Sequence, residues 1–420
     1  MKYLQLLILF LILSHINSYA KDIKPEDHIY SDNIKSVLFY AQPDGSKGVP
    51  IVPFDQNTKL ILEFDELSNN QEYYYYKIYH YNADWTQSYL SSSQYLYDFN
   101  EYRIMDAEMS FKTRTSYYHY TITIPKVKVS GNFLIKVYRN YDEDDLLLTK
   151  QFIIYENIAP VSSVISRSMV PSDAFIKQQV NFQINYGSAA ISNPYNDVKV
   201  IVRQNFKNYN AITNLKPAFI RDYDKTLDYQ FFNNENSFNG GNEFRFFDLR
   251  SVLFNGMYIS RVVRTNDRTD AWILPEKSRN KIAYSFYDDI NGAFFPQLYE
   301  NLNKTTDPDY VMVHFQLMSP EPAPGDVYLI GRLTNWKTLP EYKLTYNSTE
   351  KYYSGEFLLK QGYYNYAYSV VDSKGVRDDI YFEGNSSLTE NAYDIIVYAR
   401  LQGDMYDRAI GYYSQRYRGR

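Results

Sequence analysis

Lys59–Phe64 reads KLILEF and Asn132–Tyr138 reads NFLIKVY. In the first, Leu60, Leu62 and Phe64 fall on one side of an extended chain; in the second, Phe133, Ile135 and Val137 do. Successive side chains of a strand point to opposite faces, so an apolar period of two predicts a half-buried β-strand. Roughly seven short runs of this kind lie between Lys21 and Asn157, broken by turn-forming clusters such as QPDGSKG at 42–48 and KVKVSGN at 126–132. Short strands at regular spacing with turn signals predict an immunoglobulin-like or fibronectin-like sandwich.

The pattern continues beyond this first unit. ENIAPVSSVISR around Pro160 reads as a linker. The middle region carries strands at QVNFQINY (179–186) and DVKVIVRQN (197–205), then an Asn- and Phe-rich section, 231–251, in which Gly240 and Gly241 predict a tight turn. From Asp309 to Arg400 strands recur at VYLIGRLTNW, YYSGEFLLKQGYYNYAYSVVD and YDIIVYARL. Long helical periodicity is absent, and 46 tyrosines with 25 phenylalanines favour pleated, half-buried surfaces. The expected fold is all-β: three immunoglobulin-like or early-set sandwiches in series, with units at 21–158, 159–304 and 305–420.

The first twenty residues place Lys2 before an apolar run, Leu4–Leu13, and end with Ser18 and Ala20 flanking Tyr19. This is the pattern of a secretory signal peptide, expected to be cut after Ala20, and the run is too short for a spanning helix. The chain has no cysteine, which removes disulfides, thiolate metal sites and Cys nucleophiles. A net charge of −5 supplies no basic field for nucleic acid. The expectation is a soluble, exported protein.

The sequence carries few candidates for catalysis or metal binding. The histidines beyond the leader, His28, His80, His119 and His314, lack metal-ligand spacing, and no nucleophile elbow, P-loop or dinucleotide fingerprint is present. The acidic runs at 142–145, 288–289 and 378–379 read as solvated turns; a glycosidase pair, or calcium at 142–145, is the sharper alternative. His80 and His119 could meet across neighbouring strands with Asp84 near, although a hydrogen-bonded strand histidine is the preferred reading. No catalytic residue, metal or cofactor is expected.

GDVYLIGRLTNWKTLP (325–340) and GEFLLKQGYYNYAYSVVDSKG (355–375) resemble the starch- and glycogen-binding modules of the early-set class. That resemblance implies Trp336 as a sugar-stacking ring. The second aromatic is missing after Asp372, and Ala367 and Tyr368 stand where a Lys would be expected. Stacking gains most from two rings, so the fold is retained from this likeness and the sugar set aside as the alternative.

A second resemblance covers nearly the whole chain beyond the leader. YHYNADWTQSYL (79–90), YLYDFNEYRIMDAEMSFKTRTSYYHYTITIP (95–125) and SGNFLIKVY (130–138) resemble the first domain of the type IX secretion system plug protein family. The carrying positions are Asp84, Trp85, Ser88, Phe99, Asn100, Ser110, Phe111, Thr113, Tyr117, His119, Tyr120 and Ser130–Asn132; GNEFRFFDLRSVLFNG (241–256) and DRAIGYY (407–413) look similar to the same family. The resemblance implies a non-enzymatic protein in the periplasm, at the inner face of the outer membrane. It would bind and occlude the system's outer-membrane translocon β-barrel when no cargo is present. Asp84 and Trp85 are then candidates for partner docking, since Trp and Tyr dominate interface centres. The preferred reading instead buries Trp85 under its turn, with Asp84 bonding loop amides and Ser88 capping the next segment. A secreted cargo of the same system is a third possibility, but the terminal GYYSQRYRGR does not resemble a sorting tail.

Overall fold

A computed structural model describes residues 24–42, 49–55, 57–302 and 304–419. The leader expected at 1–20 and most of the turn at 42–48 lie outside them. The described chain is nearly all β, built from five sheets. No helix among the described residues is long and apolar enough to cross a membrane.

The first sandwich pairs a six-stranded with a four-stranded sheet. The larger has Asp142–Tyr155 and Gly131–Arg139 at its centre, flanked by His28–Ile29, Tyr74–Tyr81 and Tyr102–Arg103, with Ile51–Pro53 parallel to Asp142–Tyr155. The smaller runs Ile34–Gln42, Lys59–Glu66, Tyr118–Thr123, Asp106–Met109. Leu60, Leu62 and Phe64 meet Phe133, Ile135 and Val137 in one core, as the alternation requires. Lys59–Glu66 is not half-buried, however: Ile61, Glu63 and Asp65 on its other face are covered too. The reason is that other parts of the chain pack there.

The second sandwich departs from a serial layout. One sheet, Val161–Arg167, Lys177–Asn185, Thr226–Tyr229, Phe219–Arg221 with Ser237–Asn239, comes from the middle of the chain. The opposing sheet is Ile212–Thr213, Val198–Gln204, Asn391–Ala399, Arg408–Tyr417. Val198–Gln204 pairs residue for residue with Asn391–Ala399, so the chain's last strands return to the middle unit. Val200, Val202, Ile395 and Val397 share its core with Phe182, Ile184 and Leu227.

The third sandwich is therefore an insert. An eleven-stranded sheet folds over one core, along the path Arg245–Asp248, Gly362–Asp372, Gly325–Ile330, Lys343–Asn347, Tyr352–Lys360, Tyr310–Met318, Thr269–Ile273, Ile259–Arg264. The expected boundary near 304–305 falls within this unit. Where the chain enters the insert, Gly241 has φ +65°, and a Cβ on Gly240 would sit 1.9 Å from the carbonyl oxygen of Ser386 on the returning leg. The two glycines serve a crossing of legs rather than a hairpin. Asn391 Nδ2 donates to Gly240 O at 2.8 Å, and Gln178 Nε2 donates to the carbonyls of Ser387 and Thr389, which fixes the crossing.

Candidate functional site

Several of the residues that carried the family likeness lie at the seams between the three sandwiches, whereas Asn100 and Tyr120 serve the first sandwich's own packing and Phe99 is exposed. The turn after Tyr74–Tyr81 comes first. Asp84 Oδ1 accepts from the Thr86 amide at 3.0 Å and its hydroxyl at 2.6 Å, and this Asx-type turn holds Trp85 at φ +62°. Trp85 is half-buried, its ring tilted against Tyr81 with centroids 5.9 Å apart. Ser88 does not cap the following helical turn, Ser92–Tyr95; Ser91 does, with Gln94. Ser88 Oγ instead lies 2.9 Å from His80 Nδ1, while His80 Nε2 lies 3.1 Å from the Ser130 carbonyl. A carbonyl can only accept, so Nε2 carries the proton. Burial pushes His80 down to about 4, so the ring is neutral near pH 7.

This turn forms one side of the seam to the second sandwich. Asp407 Oδ2 accepts from the Ala83 amide at 3.2 Å, the Asp407 amide donates to Asn82 Oδ1, and Tyr398 OH donates to Asn132 Oδ1 at 2.6 Å. Around these bonds Ile51, Ala83 and Ile153 pack on Ile396, Tyr398 and Ala409. Asp407 is itself buried and ion-paired with Lys199 and Arg400.

His119 belongs to a different seam, so it does not meet His80. His119 Nδ1 lies 2.7 Å from Asp65 Oδ1, and Asp65 Oδ2 takes the Lys360 ammonium at 2.6 Å and the Tyr310 hydroxyl at 2.7 Å from the third sandwich. Burial alone would raise the Asp65 pKa, but the Lys360 charge and His119 outweigh it and hold the carboxyl below its ordinary range. Alongside, Tyr117 OH donates to Pro308 O, and Asp309 accepts from the Arg114 and Thr115 amides.

The seam between second and third sandwiches adds Tyr209, which donates to Asp379, and Lys207, whose ammonium stands 4.8 Å from the Trp336 ring centroid. Trp336 is only 5% exposed; it packs on Phe244, and a Cβ on Gly292 would come within 2.1 Å of its ring. It is a packing residue, with no open face for a sugar.

The acidic runs resolve into ion pairs and turns. Glu143 pairs with Lys77, Asp145 with Arg139 and Asp379 with Arg377. Asp289 accepts from the Phe244 and Asn291 amides. No group of three or more His, Asp or Glu side chains with metal-holding geometry occurs among the described residues. Asp65 and Asp394, each an acid within an apolar strand, are the signal that was available: a buried charge needs a partner from another element.

All three sandwiches line a cleft of about 980 Å³, with Asp27, Trp85, Phe206, Arg332 and Trp336 among its walls.

Comparison with known proteins agrees with the placement of these motifs. Residues 34–156 match the model described as type 9 secretion system plug protein 1st domain. A crystal structure of a hypothetical protein from Parabacteroides merdae is 32% identical, with a TM-score of 0.89, over 94% of this chain and 100% of that one. A collagen adhesin from S. aureus aligns at 8% identity over 93% of each chain with a TM-score of 0.14, too low for any structural argument. No curated protein matches the sequence. With its first sandwich matched and 94% of its length shared with a relative of the same fold, the chain belongs to the type IX secretion system plug protein family.

Proposed function

We propose that this protein is a non-enzymatic periplasmic plug, which binds the outer-membrane translocon barrel of the type IX system and occludes it while cargo is absent. The observation that supports this reading most is the locking of the seams. Asp65–Lys360 is a buried ion pair between the first and third sandwiches, and Asp407 is tied to both the first and second. A single sandwich of about 130 residues has a radius of gyration near 14 Å, hence a width of roughly 35 Å. Three such units held together make a wide body that resists deformation, which is what occlusion of a large pore requires. The family is a non-catalytic, structural one, and several of the residues that carry the likeness here, such as Tyr117 and Asn132, make contacts between units.

The test is to tag the C-terminus in the native host, solubilise membranes gently and identify what co-purifies. Recovery of a large outer-membrane barrel near one to one supports the plug, together with leakage of outer-membrane-impermeant solutes when the gene is lost. A protein that purifies alone while the barrel stays intact, or one digested by protease added to whole cells, overturns it.

A further inference from the structure

The cleft at the three-way junction contains a cation that forms no ion pair with the described residues. Six basic side chains line it. Five have carboxylate partners: Lys150 with Asp27, Lys199 with Asp407, Arg203 with Asp394, Lys337 with Glu26 and Arg377 with Asp379. The sixth, Arg332, forms neither a side-chain hydrogen bond nor an ion pair with the described residues; its guanidinium stands 5.6 Å from the Phe206 ring centroid. Burial first, then the nearby Arg203 charge, push its pKa down to about 10, against the weaker opposing pull of Tyr412 and Asp27, so a carboxylate placed directly on the guanidinium would favour its charged form. Asp84, also on the lining, has Oδ1 engaged by Thr86.

The surroundings of Arg332 are aromatic and held under strain. Trp85, Phe206 and Trp336 all line the cleft, and all have φ between +60° and +62°. For bulky side chains this is a costly conformation, on the order of 1–3 kcal/mol each, and such strain gathers at ligand clamps. The cleft sits at a domain junction and has the size of a small-ligand site.

We propose that this cleft binds a single carboxylate carried on an aromatic or apolar body, with Arg332 as the anion clamp. The guanidinium fork matches a carboxylate bidentately. One free cation also sets the charge: a phosphate dianion would need a second, and the other five are already neutralised. The carboxylate could belong to a chain terminus or small acid, or to an acidic side chain within a polypeptide segment. The inference does not depend on the plug reading.

Two of the three tryptophans, Trp85 and Trp336, line the cleft, so intrinsic fluorescence reports on it directly. The mature protein is titrated with N-acetyl-phenylalanine, with its amide, and with an acetylated, amidated pentapeptide carrying one Asp between two Phe residues. The expected result is saturable quenching by at least one carboxylate probe, at least tenfold weaker binding of the uncharged amide, and at least a tenfold loss in Arg332→Gln. Arg332→Lys restores part of the affinity. Binding of the acid alone assigns a terminus or small acid; binding of the peptide assigns an acidic side chain. The acid–amide comparison needs no variant, so it decides even if Arg332→Gln folds poorly. Absence of saturable binding by either carboxylate probe, equal binding of acid and amide, or full affinity in a folded Arg332→Gln protein overturns the proposal.

Discussion

Lys360 of the third sandwich places its ammonium 2.6 Å from a carboxylate oxygen of Asp65 in the first, and both side chains are almost entirely buried. Two hundred and ninety-five positions of sequence separate them, so this contact exists only in the assembled chain. Removing one partner of a buried pair strands the other charge, a loss of about 3–5 kcal/mol. Lys360→Met and Asp65→Asn are each expected to lower stability by that order, with the double variant losing less than the sum. Urea denaturation of the four proteins of the cycle measures the coupling; strict additivity would show that the pair does not join the units. The pH sign follows from the depressed Asp65 pKa: its contribution is present above the unfolded carboxylate range near pH 4 and is lost as pH falls through the lower folded value.

Glu243 should show the opposite sign. It is buried, with Oε1 accepting from Tyr284 and from the Glu390 amide, and Oε2 without a hydrogen-bond partner among the described residues. Burial first, then the charges of Asp289 and Glu390, raise it to about 7 against the bonds that favour ionisation. A raised pKa means stability is fully present below the unfolded value, near 4.5, and is lost as pH rises through about 7. Glu243→Gln is therefore expected to stabilise the protein by on the order of 2 kcal/mol at pH 8 and to change little at pH 4.5. Denaturant midpoints at the two pH values check this; an equal effect at both would remove ionisation from the explanation.

Trp336 tests the sugar reading against the packing one. With 5% exposure and Gly292 closed against its ring, Trp336→Ala is expected to cost about 3–5 kcal/mol as a cavity in the core. The unaltered protein should migrate identically in native gels with and without starch or glycogen. Retardation of the unaltered protein, abolished by a folded Trp336 variant, would restore the carbohydrate reading.

The alternation in Lys59–Phe64 and Asn132–Tyr138 made the strands and the first sandwich legible, because a period of two depends only on neighbours along the chain. It was silent on pairing. YDIIVYARL at 393–401 announced a strand, yet its partner, DVKVIVRQN, lies some 190 positions earlier, and nothing local records that distance. Trp85 and Asp84 were legible as a turn, and the turn's second role, receiving Asp407 from the far end of the chain, was not. Arg332 is unremarkable in sequence; only the assembled junction reveals that its guanidinium has no ion-pair partner among the described residues.

The insertion makes the last prediction. If the units were serial, a chain ending at residue 304 would contain two complete sandwiches. In the observed topology it lacks Asn391–Ala399 and Arg408–Tyr417, two of the four strands in one sheet of the second sandwich. Asn391–Ala399 is buried along its entire length and supplies Tyr393, Ile395, Val397 and Ala399 to that core. Without it, Val198–Gln204 loses its main hydrogen-bonding neighbour, and Val200 and Val202 lose their cover. Residues 28–155, whose two sheets are local, should still fold, though less stably for the loss of Lys360 beside Asp65. Hydrogen exchange of the truncated protein is expected to show protection at 131–155 and none at 177–204. Protection of both segments would mean that the second sandwich closes without its returning strands.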